Sequence, residues 1–264
     1  MRRLTAVAVG WLSGLCLGWA WGGPDFVAVR QPEPAKAMTL DLGEGAKMDF
    51  VLIPAGTFVM GSKERSAEQP LRRVTIERPF YLGKYEVTQA QWVSLMATNP
   101  SVFKGLQNPV DSVNGEDGQD FVRRLAQRVP GRTFRLPTEE EWEYACRAGS
   151  SNLYCYGDDV AGLPDYAWYR DNAGDTTHPV GLKKPNAWGL YDMHGNVWEW
   201  CSARSVNTAS NGASRAGAGF MIRGGGWRST AEHQRSAYRY LGMQGFNVTR
   251  ANSFGVRLLL EMPL

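Results

Sequence analysis

Asn186-Ala187-Trp188-Gly189-Leu190-Tyr191-Asp192-Met193-His194-Gly195-Asn196-Val197-Trp198-Glu199-Trp200 sets three tryptophans and two carboxylates among glycines and asparagines, and it reads as a pinned loop. Turn residues recur throughout the chain after Gly149, at Gly157-Asp158-Asp159, Asp171-Asn172-Ala173-Gly174-Asp175, Lys184-Pro185-Asn186 and Asn211-Gly212. Regular structure there is therefore expected to be sparse. Loops of such length stay ordered only where something holds them, and Trp168, Trp188, Trp198, Trp200 and Trp227 are large apolar anchors for that purpose.

Upstream, Met48 to Pro54 and Gly56 to Gly61 are short strand-like runs broken by Pro and Gly, continued by Arg73 to Ile76 and Phe80 to Leu82. Three helices are predicted. Thr88 with Gln91 forms a capping box ahead of Trp92, Leu95 and Met96, and Thr138 with Glu141 forms another ahead of Trp142, Ala145 and Cys146. Between them, Glu116 to Arg128 places Phe121, Val122, Leu125 and Ala126 on one face. Gly115 and Gly118 weaken the start of that helix by about 1 kcal/mol each relative to Ala, which predicts a looped corner. Residues 23–45, rich in Pro, Ala and Gly, read as an extended leader into a domain spanning 46–264.

Four ordered motifs carry a family resemblance: Arg135-Leu136-Pro137-Thr138-Glu139-Glu140-Glu141-Trp142, the Asn186 to Trp200 loop, Arg223-Gly224-Gly225-Gly226-Trp227, and Phe254-Gly255-Val256-Arg257. With Ile53-Pro54-Ala55-Gly56-Thr57-Phe58-Val59-Met60-Gly61 and Tyr85-Glu86-Val87-Thr88, they resemble the formylglycine-generating enzyme (sulfatase-modifying factor) family. The resemblance implies an α+β fold related to C-type lectin-like domains, with little regular secondary structure. It also implies a structural calcium in the tryptophan loop, at the positions of Asp192, Gly195, Val197 and Glu199. Two hard carboxylates and two backbone carbonyls suit that ion. A metal-free loop held by hydrogen bonds from the same carboxylates is the alternative.

Enzymes of the family oxidise a substrate Cys with two copper-holding cysteines, and the corresponding positions here are Ser229 and Gln234. A hydroxyl and an amide cannot replace a soft thiolate pair at Cu(I), so neither copper nor formylglycine-generating activity is expected. Ser229 as a nucleophile with His233 as base needs an orienting acid, and Glu232 is the nearby candidate; the plainer reading is a pocket-lining hydroxyl. With the chemistry gone, the expected role is that of a non-catalytic periplasmic regulator. It would bind the extracytoplasmic part of a transmembrane threonine kinase that controls type VI secretion and promote its activity, as the resemblance to one exported relative without the cysteine pair implies. Trp227, Arg235, Tyr238, Arg239, Tyr240, Met243 and Phe246 are the partner-binding candidates, with core packing as the competing use of the aromatics. For Arg223, Arg235, Arg239, Arg250 and Arg257, structural ion pairing is favoured over an acidic-peptide groove. The alternative function is an exported enzyme of siderophore chromophore maturation.

The remaining composition sets boundaries. Arg2 and Arg3 precede an apolar run to Trp21, with small residues at Ala20 and Gly22, the layout of a secretory signal over 1–22 with an uncleaved anchor as the rival. The net charge of +3 includes those two arginines, so neither nucleic acid nor an acidic surface is implied. Cys146, Cys155 and Cys201 permit one bridge with one thiol left over, Cys146 with Cys155 closing the shortest loop. Zinc is not expected, because there is no Cys-X-X-Cys and the only histidines are His178, His194 and His233.

Overall fold

A computed structural model describes residues 37–43, 45–202, 219–240 and 249–262, all within the compact unit Pro32–Leu264. The elements run β1 (Ala37–Gly43), β2 (Ala46–Ile53), β3 (Gly56–Met60), β4 (Arg72–Ile76), β5 (Phe80–Gly83), α1 (Gln89–Met96), α2 (Gly115–Arg128), β6 (Phe134–Arg135), α3 (Glu139–Arg147), β7 (Ala167–Trp168), β8 (His194–Gly195), β9 (Trp198–Ser202), β10 (Phe220–Arg223), β11 (Phe254–Gly255) and β12 (Leu259–Glu261). The architecture is α+β, and between Arg147 and His194 the regular structure shrinks to one short 3-10 helix and a two-residue strand.

The main sheet has the order β1-β2-β5-β12-β6, and a smaller one the order β10-β9-β11. Because side chains alternate along a strand, β2 sends Met48 and Phe50 into one core and Val51 and Ile53 into another. The first core adds Trp92 of α1 and Phe121 of α2, whose rings stack at 5.1 Å, together with Trp200 and Phe254. The second gathers Trp142, Ala145 and Cys146 of α3 with Trp188, Leu190 and Met193.

Both predicted capping boxes are present: Thr88 accepts from the Gln91 backbone and Thr138 from that of Glu141, each reciprocated by the longer side chain. Two expectations are corrected. The leader does not extend to residue 45, since Ala37–Gly43 is a strand paired antiparallel to β2, with Leu40 and Leu42 buried at alternate positions. The corner at Gly115 and Gly118 is helical rather than looped. Asn114 caps it with Asp117 in reciprocal bonds, and the glycines are required by packing. A Cβ at Gly115 would lie 2.3 Å from the Phe220 ring, and one at Gly118 2.9 Å from Val256 Cγ1.

Candidate functional site

From Asp192 onward the tryptophan loop turns on three left-handed residues, Asp192, Gly195 and Asn196, at φ 57°, 95° and 58°. Only glycine fits the middle position, since a Cβ there would meet the Trp168 carbonyl at 2.3 Å. Glu86, buried, fastens the loop from the far side of the chain, accepting from Val197 N at 3.0 Å and Asn196 Nδ2 at 2.7 Å. Glu199, also buried, accepts from Trp142 Nε1 at 2.6 Å and from Arg257 through both carboxylate oxygens, at 2.7–3.0 Å. The same guanidinium donates to the carbonyls of Gly83 and Tyr191.

Asp192 completes a group of three buried carboxylates served by one buried guanidinium. Its Oδ2 accepts from Gly181 N at 2.7 Å, while its Oδ1 is buried without a hydrogen-bond partner. Burial pushes the Asp192 carboxyl up to about 6, and burial with repulsion from Asp192 and Glu199 pushes Glu86 well above the ordinary glutamate range. Of the carboxylates expected to hold calcium, Asp192 offers a free oxygen, whereas Glu199 is already engaged by Arg257 and Trp142. Among the described residues no group of three His, Cys, Asp or Glu is placed to hold a metal ion.

Ser229 and Gln234 meet at the same turn. Ser229 Oγ lies 3.3 Å from Gly226 N and accepts from Trp198 Nε1 at 3.1 Å, and Gln234 Nε2 reaches Gly226 O at 3.4 Å. Gln234 is fully buried and its Oε1 has no hydrogen-bond partner. This amide packs so closely that a Cβ at Gly225 would fall 2.1 Å from it. The elements of a serine nucleophile are not assembled: His233 Nδ1 is bonded to Thr230 Oγ1 at 2.6 Å, and Glu232 pairs with Arg65 at 3.3 Å. Burial also lowers the basicity of His233.

The partner-binding candidates do not form one exposed groove. Trp227, Arg235 and Tyr238 are buried within the domain. Arg235 holds Glu68 with two hydrogen bonds, and the Tyr238 hydroxyl accepts from Arg65 at 2.8 Å. Arg239 pairs with Glu139 at 3.1 Å. Tyr240 is the exposed member, its ring 5.4 Å from that of Trp198, and Met243 and Phe246 lie outside the described residues. Aromatic and cationic side chains serve a core as readily as an interface, so composition could not separate the two uses. The C-terminal arginines are structural, as favoured: Arg223 pairs with Glu143, Arg235 with Glu68, Arg239 with Glu139, Arg250 with Asp117 and Arg257 with Glu199.

All three described cysteines are free thiols. Cys146 faces Met193 O at 3.7 Å and Cys201 faces Glu199 O at 3.7 Å, and burial pushes the Cys146 thiol up to about 12. His194, whose role is not evident from sequence, is a clamp: its Nε2 accepts from Cys155 N at 3.2 Å, so its Nδ1 carries the proton and donates to Gln234 O at 2.7 Å. Glu86 is the residue that sequence reasoning missed, although it stands inside the quoted Tyr85-Glu86-Val87-Thr88 motif.

A loop fastened by Glu86 and Arg257 thus lies beside a Gly-Gly-Gly turn that Ser229 and Gln234 contact through Gly226. Residues 40–262 match the sulfatase-modifying factor enzyme 1-like domain, and the chain belongs to that family. It is 31% identical to the chaperone protein LppX of Paenibacillus barcinonensis over 72% of this chain and 82% of that one. The inactive C-alpha-formylglycine-generating enzyme 2 of Bos taurus is 28% identical over 73% of this chain and 81% of its own length. A further relative, serine/threonine-protein kinase pkn1 of Chlamydia caviae, is 28% identical over 75% of this chain but only 36% of the kinase. Among solved structures, Treponema denticola variable protein 1 superposes with a TM-score of 0.74 at 27% identity, covering 86% of this chain and 99% of that one. PvdO of Pseudomonas aeruginosa does so at 0.71 and 26%, covering 88% and 100%.

Proposed function

We propose that the chain is a non-catalytic periplasmic binding protein that promotes a transmembrane threonine kinase controlling type VI secretion, in the manner of TagR, which it resembles. The observation that carries the reading is the occupation of the two thiol positions by a hydroxyl hydrogen-bonded to Trp198 and a buried amide. Ser229 and Gln234 cannot bind Cu(I) as a thiolate pair does. Three relatives support the choice of protein binding over catalysis. One is named an inactive enzyme and one a chaperone. In the third, the matched stretch lies within a chain named as a serine/threonine kinase, so a domain of this kind is covalently joined to a kinase there. With export by the signal over 1–22, the folded domain lies on the same side of the membrane as the kinase's outer segment.

The structural companion of this reading is calcium held by Asp192, by the Gly195 and Val197 carbonyls that the family resemblance assigns to it, and by Glu199, which Arg257 also engages. Its support is the unpartnered buried Oδ1 of Asp192. A second reading, an exported enzyme of siderophore chromophore maturation, draws on the overlap with PvdO over the whole of that chain. The non-catalytic claim is tested by incubating the protein with a Cys-X-Pro-X-Arg peptide, copper and oxygen. The expected outcome is an unoxidised peptide Cys, and aldehyde above a no-protein control overturns it.

A further inference from the structure

β4 is the open edge of a two-stranded ribbon, since among the described residues it pairs only with β3, from Met60↔Arg72 to Gly56↔Ile76. In an antiparallel pair every second residue turns its backbone N–H and C=O away from the partner, so this edge presents a row of groups ready to pair with another strand. Beside it lies a cleft of about 600 Å³, lined by Val74 to Phe80 and by Thr138, Glu140 and Glu141.

The sequence of the edge selects its occupant. Arg73, Thr75 and Glu77 are exposed, whereas Val74 is half-buried and Ile76 buried. Laid antiparallel to its own copy about a two-fold axis at Thr75, the strand and the residue that follows it set Arg73 opposite the second copy's Glu77, Val74 opposite Ile76, and Thr75 opposite Thr75. Symmetry repeats the charge pair on the other side. Moving the axis one residue, to Val74, sets Arg73 opposite Thr75 and Leu71 opposite Glu77, and no charges pair. Neither Arg73 nor Glu77 forms an ion pair with any described residue, so both are available for this contact. In the Thr75 register Arg78 of the copy comes opposite Arg72, whose charge is already balanced by Glu140 at 2.5 Å. Glu141 lines the same cleft.

We propose that the β4 edge is a homodimer contact, in which β4 pairs antiparallel with β4 of a second copy about Thr75. The contact lies apart from the Ser229–Gln234 turn and stands independently of the kinase reading. Two charge reversals test it. By symmetry each acts twice, so Arg73→Glu or Glu77→Arg alone is expected to raise the dimer dissociation constant at least about tenfold. The double variant Arg73→Glu/Glu77→Arg restores both pairs and is expected to dimerise like the parent. An equimolar mixture of the two single variants is expected to form a heterodimer, because the two carboxylates of the Arg73→Glu chain then face the two guanidinium groups of the Glu77→Arg chain. The readout is sedimentation velocity of the purified exported protein over a range of concentrations. A wild type that stays monomeric throughout overturns the proposal, as does a dimer indifferent to both single reversals. A dimer lost in the single variants but not recovered in the double variant or the mixture overturns the register.

Discussion

Replacing Arg257 with Ala is expected to cost about 3–5 kcal/mol of folding stability, because it leaves a buried charge cluster without its counter-charge. Arg257 is fully buried, and it donates to both oxygens of Glu199 as well as to the Gly83 and Tyr191 carbonyls. Glu86 and Asp192 lie in the same field, and each already has its carboxyl pushed up by burial. Without the guanidinium, three carboxylates would share a dry site with no cation among them. Each would have to take up a proton or remain charged at a large desolvation cost. Against a total domain stability of about 5–15 kcal/mol, this is about a fifth of the whole or more. Chemical denaturation of wild type, Arg257→Ala and Arg257→Lys measures it. Lys keeps the charge but not the planar fork, so its loss should fall between the other two. A loss below about 1 kcal/mol for Arg257→Ala would show that the cluster is not held by this residue.

Calcium is expected to raise the melting temperature by acting on the same cluster. A cation that binds only the folded state at 100 times its dissociation constant adds about 2.7 kcal/mol. For a domain of this size that corresponds to roughly 5–10 °C. The binding atom that is free to respond is Asp192 Oδ1, buried and without a hydrogen-bond partner. Asp192→Asn is therefore the informative variant, since it keeps the shape and the bond from Gly181 N while removing the charge. Thermal melts in chelator and in millimolar calcium should separate for the wild type and coincide for Asp192→Asn. Coincident wild-type melts would remove calcium from the loop.

What could be read from the sequence was set by the range of each interaction. A capping box closes over three residues, so Thr88 with Gln91 and Thr138 with Glu141 announced two helices that the structure contains. The ordered motifs carried the fold family for the same reason, each being locally complete. The errors came from tertiary forces overriding local preference. Gly115 and Gly118 cost α2 roughly 2 kcal/mol of propensity in total, yet the helix forms because Phe220 and Val256 need the space that a side chain would fill. β1 was hidden by the Pro-rich composition before it, although Leu40 and Leu42 alternate in the way a half-buried strand requires. The bond from Asn196 to Glu86 spans 110 residues, a separation at which spacing carries no information. Tyr238 and Arg235 illustrate another limit: a buried hydroxyl held by Arg65 and a guanidinium held by Glu68 have the composition of an interface hot spot but lie inside the domain.

The exposed remainder of the candidate groove is the rim around Tyr240, whose ring leans on Trp198 next to Ser229. If the domain has exchanged chemistry for binding, this rim is where a partner would touch the former reaction centre. The most direct measurement is a calorimetric titration of the purified protein with the extracytoplasmic segment of the kinase encoded nearest its gene. Saturable binding with a roughly micromolar dissociation constant, about −8 kcal/mol, is expected. Tyr240→Asp should weaken it at least about tenfold while circular dichroism shows the fold unchanged. Absence of measurable heat and of any shift in the kinase segment's sedimentation with wild-type protein would contradict the kinase reading, and unaltered affinity in Tyr240→Asp would contradict its placement at this rim.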